Sequence, residues 1–140
     1  MKLDALIDFY QTLTPERVER FGEFYADSAY FKDPFNEVRG LPAIQRIFTH
    51  MFEQVREPRF VITEKVGTDE TAVLVWEFAF RARRLGADQA MIMRGVSHLR
   101  CDAVGKVAYH RDYWDTAEEL YMKLPVLGGM MRGLQKILSA

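Results

Sequence analysis

Past Pro58 the spacing of apolar residues changes from helical to alternating, and this change constrains the fold more than any other feature. Phe60 to Val66, Thr71 to Arg83, Gln89 to Cys101 and Lys106 to Asp115 read as four strands. The links between them are short and rich in Gly and Asp: Gly67, Thr68 and Asp69; Gly86, Ala87 and Asp88; Asp102 to Gly105. Links that short join antiparallel neighbours. Several segments exceed the usual ~5–6 residues of a strand. Long strands curl, so the expected sheet is bent.

A bent sheet has a concave side to fill, and the first part of the chain supplies helices for it. Leu3, Leu6, Ile7 and Tyr10 fall at helical spacing. Thr14 and Pro15 give an N-cap and a proline at the first helical position of a second helix, with Val18, Phe21 and Tyr25 as its stripe. Ser28 to Asp33 reads as a short strand stopped by Pro34. Gly40, Leu41 and Pro42 open a third helix, whose stripe is Ile44, Ile47, Phe48, Met51, Phe52 and Val55. Thr116 and Glu119 have capping-box spacing and start a further helix, which Pro125 interrupts before the short apolar tail Val126 to Leu138. The expected architecture is one α+β domain over residues 1–140: a cone of N-terminal helices on a strongly curved antiparallel sheet, with a C-terminal helical tail. Such a cone leaves a hollow of the kind that holds ligands.

Composition narrows the function. The hydrophobic fraction, 49%, is enough for a sizeable core. A net charge of −1 with mixed signs lacks the basic footprint of nucleic-acid binding. The single cysteine, Cys101, excludes an intrachain disulfide. The three histidines sit on separate segments without ligand spacing, so neither a metal nor a cofactor is expected. No apolar run is long enough for a transmembrane segment, and Lys2, Asp4 and Asp8 argue against a signal peptide. The expected location is cytoplasmic.

The stretch YHRDYWDT, Tyr109 to Thr116, carries the most chemistry. On a strand, His110, Asp112 and Trp114 share one face, and Tyr109, Arg111, Tyr113 and Asp115 the other. A histidine beside a carboxylate inside an apolar hollow suits proton transfer.

FYADSAYFKDP (Phe24 to Pro34), the helix opened by Gly40, Leu41 and Pro42, and SHLRCDAVGKVAYHRDYWD (Ser97 to Asp115) resemble the nuclear-transport-factor-2-like superfamily. Within it the chain is most similar to the ketosteroid isomerase and SnoaL-like polyketide cyclase branch, over nearly its whole length. The resemblance implies a general base at Asp33, which matches that branch's Asp-Pro. The branch's first-helix tyrosine falls at Phe9, beside Tyr10, and its second acidic donor falls at Ser97. The resemblance also turns His110, Asp112 and Trp114 into the pocket, joined by Val75, Glu77 and Ala79 and by Met93, Gly95, Ser97 and Leu99. The candidate catalytic residues are thus Asp33, His110 and Asp112, and the candidate substrate-binding residues are Tyr10, Val75, Glu77, Ser97 and Trp114. A homodimer through the outer sheet face, using Ile92, Arg94, His98, Arg111 and Tyr113, is expected as well.

Each assignment has a structural counterpart. Asp33 before Pro34 is also a turn former. His110 and Asp112 also suit a polar pair that fixes packing. A shift of one residue on the strand after Thr71 exchanges Trp76 and Glu77 between pocket and surface. Trp114 suits core filling as well as ligand stacking. The tail from Leu124 to Leu138 suits a lid, a packing arm or contact with a membrane surface. Two functions stay open. One is a binder of a small apolar ring substrate that acts as an acid/base isomerase, cyclase or hydratase. The other is a non-catalytic ligand-binding or dimerisation module whose hollow is filled by Trp76, Trp114 and methionines.

Overall fold

The computed structural model describes residues 2–82, 90–119 and 125–139. Helix α1 (Leu3–Gln11) buries Leu3, Leu6, Phe9 and Tyr10. The segment Glu16–Glu23 is a 3₁₀ helix rather than the α-helix expected there. Its two buried anchors, Val18 and Phe21, stand three residues apart, which suits three residues per turn. Tyr25, expected on that helix's stripe, instead opens strand β1 (Tyr25–Lys32). A turn through Asp33 leads to β2 (Glu37–Arg39). Gly40, at φ 104°, then turns the chain into α2 (Leu41–Gln54).

Four long strands follow: β3 (Val55–Gly67), β4 (Thr71–Ala82), β5 (Ala90–Cys101) and β6 (Val107–Tyr113). Val55 begins β3 instead of ending the helix, and Pro58 lies within the strand rather than before it. That strand is a sheet edge, and its register shifts between Arg56 and Arg59, with Glu57 at φ 52°. An edge and a bulge are where a strand tolerates proline. The expected turn at Gly86, Ala87 and Asp88, with its flanks Arg83 and Gln89, lies outside the described residues. After β6 come α3 (Thr116–Glu119) and α4 (Pro125–Leu138).

The strands form one sheet in the order β2-β1-β6-β5-β4-β3. It is curved and does not close. The four long strands pair antiparallel, as their short links require, and β1 and β2 do the same. Between β1 and β6 the pairing is parallel, with Phe31 opposite His110. No hairpin links these two strands, so nothing in the chain path forces them to be antiparallel.

The concave face is filled as the helical stripes predict. Tyr25, Ala29, Phe31, Leu74, Leu99 and Val107 from the strands meet Leu6, Phe9, Phe21, Ile44 and Phe48 in one buried cluster. The Phe48 ring of α2 lies 4.6 Å from Phe21 and 5.9 Å from Phe31, centroid to centroid. Burying a side chain of this size contributes about 1.5–3 kcal/mol, so this helix anchors the cone. A second cluster, Phe80, Met91 and Met93, packs with Phe78 and Trp114 farther along the sheet. On α4, Met130, Leu134, Ile137 and Leu138 are exposed. No helix among the described residues is long and apolar enough to cross a membrane.

Candidate functional site

Strand register brings the polar groups together. Leu99 stands opposite His110, and Ser97 opposite Asp112. One strand farther, Leu74 stands opposite Ser97, and Trp76 opposite Gly95. Directly opposed residues point to the same face of a sheet, so Trp76, Ser97, His110 and Asp112 all face the hollow. Helix α1 lays Tyr10 over them, and the start of β1 adds Tyr25 from the side.

These six side chains form one continuous hydrogen-bonded chain. Trp76 Nε1 donates to Ser97 Oγ over 2.8 Å. Ser97 Oγ donates to Asp112 Oδ1 over 2.5 Å. His110 Nε2 lies 2.6 Å from the same Oδ1, and His110 Nδ1 lies 2.6 Å from the Tyr25 hydroxyl. The Tyr25 hydroxyl bonds in turn to that of Tyr10. His110 is 3% exposed, so its ring nitrogens depend on these partners rather than on water. Among the described residues no donor reaches Asp112 Oδ2. Burial pushes the Tyr10 and Tyr25 hydroxyls far above the usual tyrosine range, and the Asp112 charge adds to this, so both stay protonated.

Gly95 makes the arrangement fit. A Cβ at that position would stand 2.4 Å from the Trp76 ring. With no side chain at Gly95, the indole packs closely against β5 and its nitrogen reaches Ser97.

The chain forms one wall of an inner cavity, whose other walls are Phe48, Phe60, Ile62, Leu74 and the Trp76 ring. The cavity is small, about 30 Å³, which is room for roughly one or two water molecules. A wider, more open cleft of about 430 Å³ lies beyond the strand end, bounded by Lys32, Asp33, Pro34, Arg111, Tyr113, Trp114 and Asp115 together with Asp112. Among the described residues Asp112 alone lines both.

The structure therefore divides the residues expected in the pocket. Tyr10, Ser97, His110 and Asp112 meet at the inner cavity. Asp33 and Trp114 stand in the outer cleft with Asp112. The Asp33 carboxylate is engaged locally: its Oδ1 accepts from the backbone N–H of Phe35 and of Asn36, each at 2.7 Å, and the Asn36 amide lies 3.1 Å from both oxygens. Trp114 stands edge-on to Phe35 and packs on the Phe80, Met91 and Met93 cluster.

Val75 and Glu77 do not face the hollow. Val75 opposes Val96 and Glu77 opposes Arg94 on the convex side, and Glu77 is exposed. The register on β4 is shifted by one from the expected one, because only that register buries the Trp76 indole and leaves the glutamate in water. Tyr25 is the member of this bonded chain that the sequence reading missed. Its signal was its chemistry: a tyrosine on an apolar stripe still needs a hydroxyl partner when buried. Among the described residues no three His, Cys, Asp or Glu side chains converge as metal ligands. Outside the cavity, His98 stacks edge-on to Tyr109 on the convex face, and its imidazole is pushed down by burial and by Arg100.

Comparison with known proteins gives a consistent result. The family model of the SnoaL-like domain matches residues 6–110. No curated protein sequence matches the chain. An NTF2-like protein of unknown function from Exiguobacterium sp. 255-15 has a TM-score of 0.69 at 16% identity, covering 82% of this chain and 98% of its own. A Catenulispora acidiphila protein with a ketosteroid isomerase-like fold, solved with trimethylamine, has a TM-score of 0.69 at 13% identity, covering 84% and 88%. An LEH-like epoxide hydrolase of M. tuberculosis has a TM-score of 0.66 at 14% identity, covering 95% and 89%. At these identities the likeness is one of fold.

Proposed function

This chain belongs to the SnoaL-like domain family, and from that premise we propose that it binds a small apolar ring molecule and moves a proton on it, as an isomerase, cyclase or hydratase. The observation that carries this is the carboxylate of Asp112. Its Oδ1 is fixed by Ser97 and His110, while among the described residues no donor reaches its Oδ2. A carboxylate held in this way is oriented yet keeps lone pairs free to accept a proton. Because Asp112 lines both the inner cavity and the outer cleft, a ligand in either place meets it. In this scheme Asp112 is the base and His110 holds it in place and stores charge. Asp33 shapes the cleft through its turn, and Trp114 offers an aromatic wall there. The ligand named in a solved neighbour, trimethylamine, supports the use of this fold for small molecules.

A second reading is favoured by one observation, the size of the inner cavity. Trp76, packed against Gly95, lines a cavity of only about 30 Å³, which suits a module that binds or dimerises without turnover. Deuterium exchange into a panel of small cyclic carbonyl and enol compounds, read by NMR, separates the two. Protein-dependent exchange into at least one compound is the expected result. No exchange, with no compound raising the melting temperature, leaves the second reading.

The convex face fits a second copy of the chain, because Ile92 and Tyr113 are about half exposed there beside Arg111. Sedimentation at micromolar concentration is expected to give a dimer. The mixed charge and single cysteine of the chain suit the cytoplasm.

A further inference from the structure

The bonded chain along the cavity wall has a direction, and that direction limits what can bind. In the state with Asp112 ionised and His110 neutral, five hydrogens are available: one on Trp76 Nε1 and one each on Ser97, His110, Tyr25 and Tyr10. There are also five bonds to fill: Trp76 to Ser97, Ser97 to Asp112, His110 to Asp112, Tyr25 to His110 and Tyr10 to Tyr25. Asp112 has no hydrogen to give, so His110 must carry its own on Nε2. Its Nδ1 is then bare and accepts from Tyr25, whose oxygen accepts from Tyr10. Every hydrogen is used inside the wall.

We propose that the resting cavity wall presents lone pairs only, and that its ligand therefore brings the hydrogen: a hydroxyl, enol or amine head on a small apolar body. This rests on the proposed ligand-binding function and names the class of ligand. A bare ketone or ester head would set its oxygen against the oxygens of Tyr10 and Asp112, leaving acceptors facing acceptors, which is costly in a dry cavity.

One proton taken from solvent by the His110–Asp112 pair reverses part of the chain. With hydrogens on both ring nitrogens, Nδ1 donates to Tyr25, Tyr25 donates to Tyr10, and the Tyr10 hydrogen becomes free. The cavity then offers one donor and accepts a carbonyl. The groups that face the pair are Tyr25 from β1, Tyr10 from α1 and Ser97 from β5. Lys32 and Arg111 line the outer cleft that Asp112 also borders. Among the described residues neither a lysine nor an arginine bonds to the pair.

Two measurements test this on the full chain. The first is the ¹⁵N spectrum of His110 in the ligand-free protein at about pH 8, which reads directly which ring nitrogen carries hydrogen. A hydrogen on Nε2 with a bare Nδ1 is expected, and the opposite tautomer overturns the proposal. The second is an NMR titration with cyclohexanol and cyclohexanone. Both are six-membered rings, so any widening of the cavity is common to the two and cancels in their ratio. At about pH 8 the alcohol is expected to bind roughly tenfold tighter or more, and the preference should fall as the pair takes up its proton. Equal or tighter binding of the ketone at that pH overturns this inference alone. If neither ring binds while a compound of the exchange panel does, the inference fails alone; if no compound of the panel binds either, the ligand-binding function fails with it.

Discussion

Two aspartates, one in the turn after β1 and one near the end of β6, border the same outer cleft with very different surroundings. Asp33 is bonded to groups two and three residues away, on Phe35 and Asn36, and these bonds close its own turn. Asp112 is bonded across strands to Ser97, and through His110 to tyrosines from two other elements. The first set of bonds is complete in itself and shapes the backbone. Among the described residues the second fixes one oxygen, leaves the other open, and ties the carboxylate to a buried chain of hydrogen bonds. A carboxylate becomes chemically available when it is held from one side only, and its distance from a proline says little about that.

The largest effect that would break the comparison is on turnover. Once a substrate is found, Asp112→Asn is expected to lower its rate by about 10²–10⁴-fold, since an amide cannot accept the proton. Asp33→Asn keeps the oxygen that caps the turn and is expected to stay within about tenfold of wild type. Steady-state kinetics on the two variants decide it, and the reverse ranking would return the base to Asp33.

Stability should separate the two positions as well. Asp112→Ala leaves the buried hydrogens of Ser97 and His110 without an acceptor and should cost about 3 kcal/mol. Asp33→Ala removes bonds at a half-exposed turn and should cost about 1 kcal/mol. Urea unfolding of both variants measures the gap, and equal costs would mean that the Asp112 network is no more than another turn. Gly95→Ala sharpens the same point from the far end of the chain. It forces the Trp76 ring off β5, with an expected cost of about 1–3 kcal/mol. The indole N–H signal should move as its bond to Ser97 breaks, while the Asn36 amide signals stay in place. An unmoved indole signal would show that the glycine does not seat the ring.

The smallest effect is on alkaline stability. Tyr10 and Tyr25 have their pKa values raised in the folded state by burial. The unfolded chain therefore releases these protons first, as pH rises past ~10. Stability from the neutral hydroxyls is fully present below that point and is lost above it. Unfolding free energy should decline from about pH 10 upward, and less steeply in Tyr10→Phe. An equal decline in that variant would show that the Tyr10 proton is not held by the fold.

Much of this fold was legible because it rests on periodic signals. The α2 stripe, the four alternating segments and the Gly-rich links define helix, strands and their order from local spacing alone. What failed was phase and chemistry. Pro58 marked the end of a helix in sequence, yet the strand runs through it because an edge with a bulge has no bond there to lose. On β4, alternation allowed two registers, and burial of the Trp76 ring against Gly95 selected between them, which is a fact about a neighbouring strand. His110 beside Asp112 was readable two residues apart on one strand. Tyr25 was not, because its partner lies 85 residues away and no local pattern encodes that contact.

That separation has a consequence for how the molecule is made. The β3–β4 and β5–β6 hairpins close over short loops, whereas β1 gains its parallel neighbour only from the last strand. Contacts that close so much chain form late and slowly. The hydrogen-bonded chain spans this final seam, with Tyr25 on one side and His110 on the other. A chain stalled before the seam closes would hold Trp76, Ser97, Asp112 and His110 on neighbouring strands, but His110 Nδ1 would lack its Tyr25 partner.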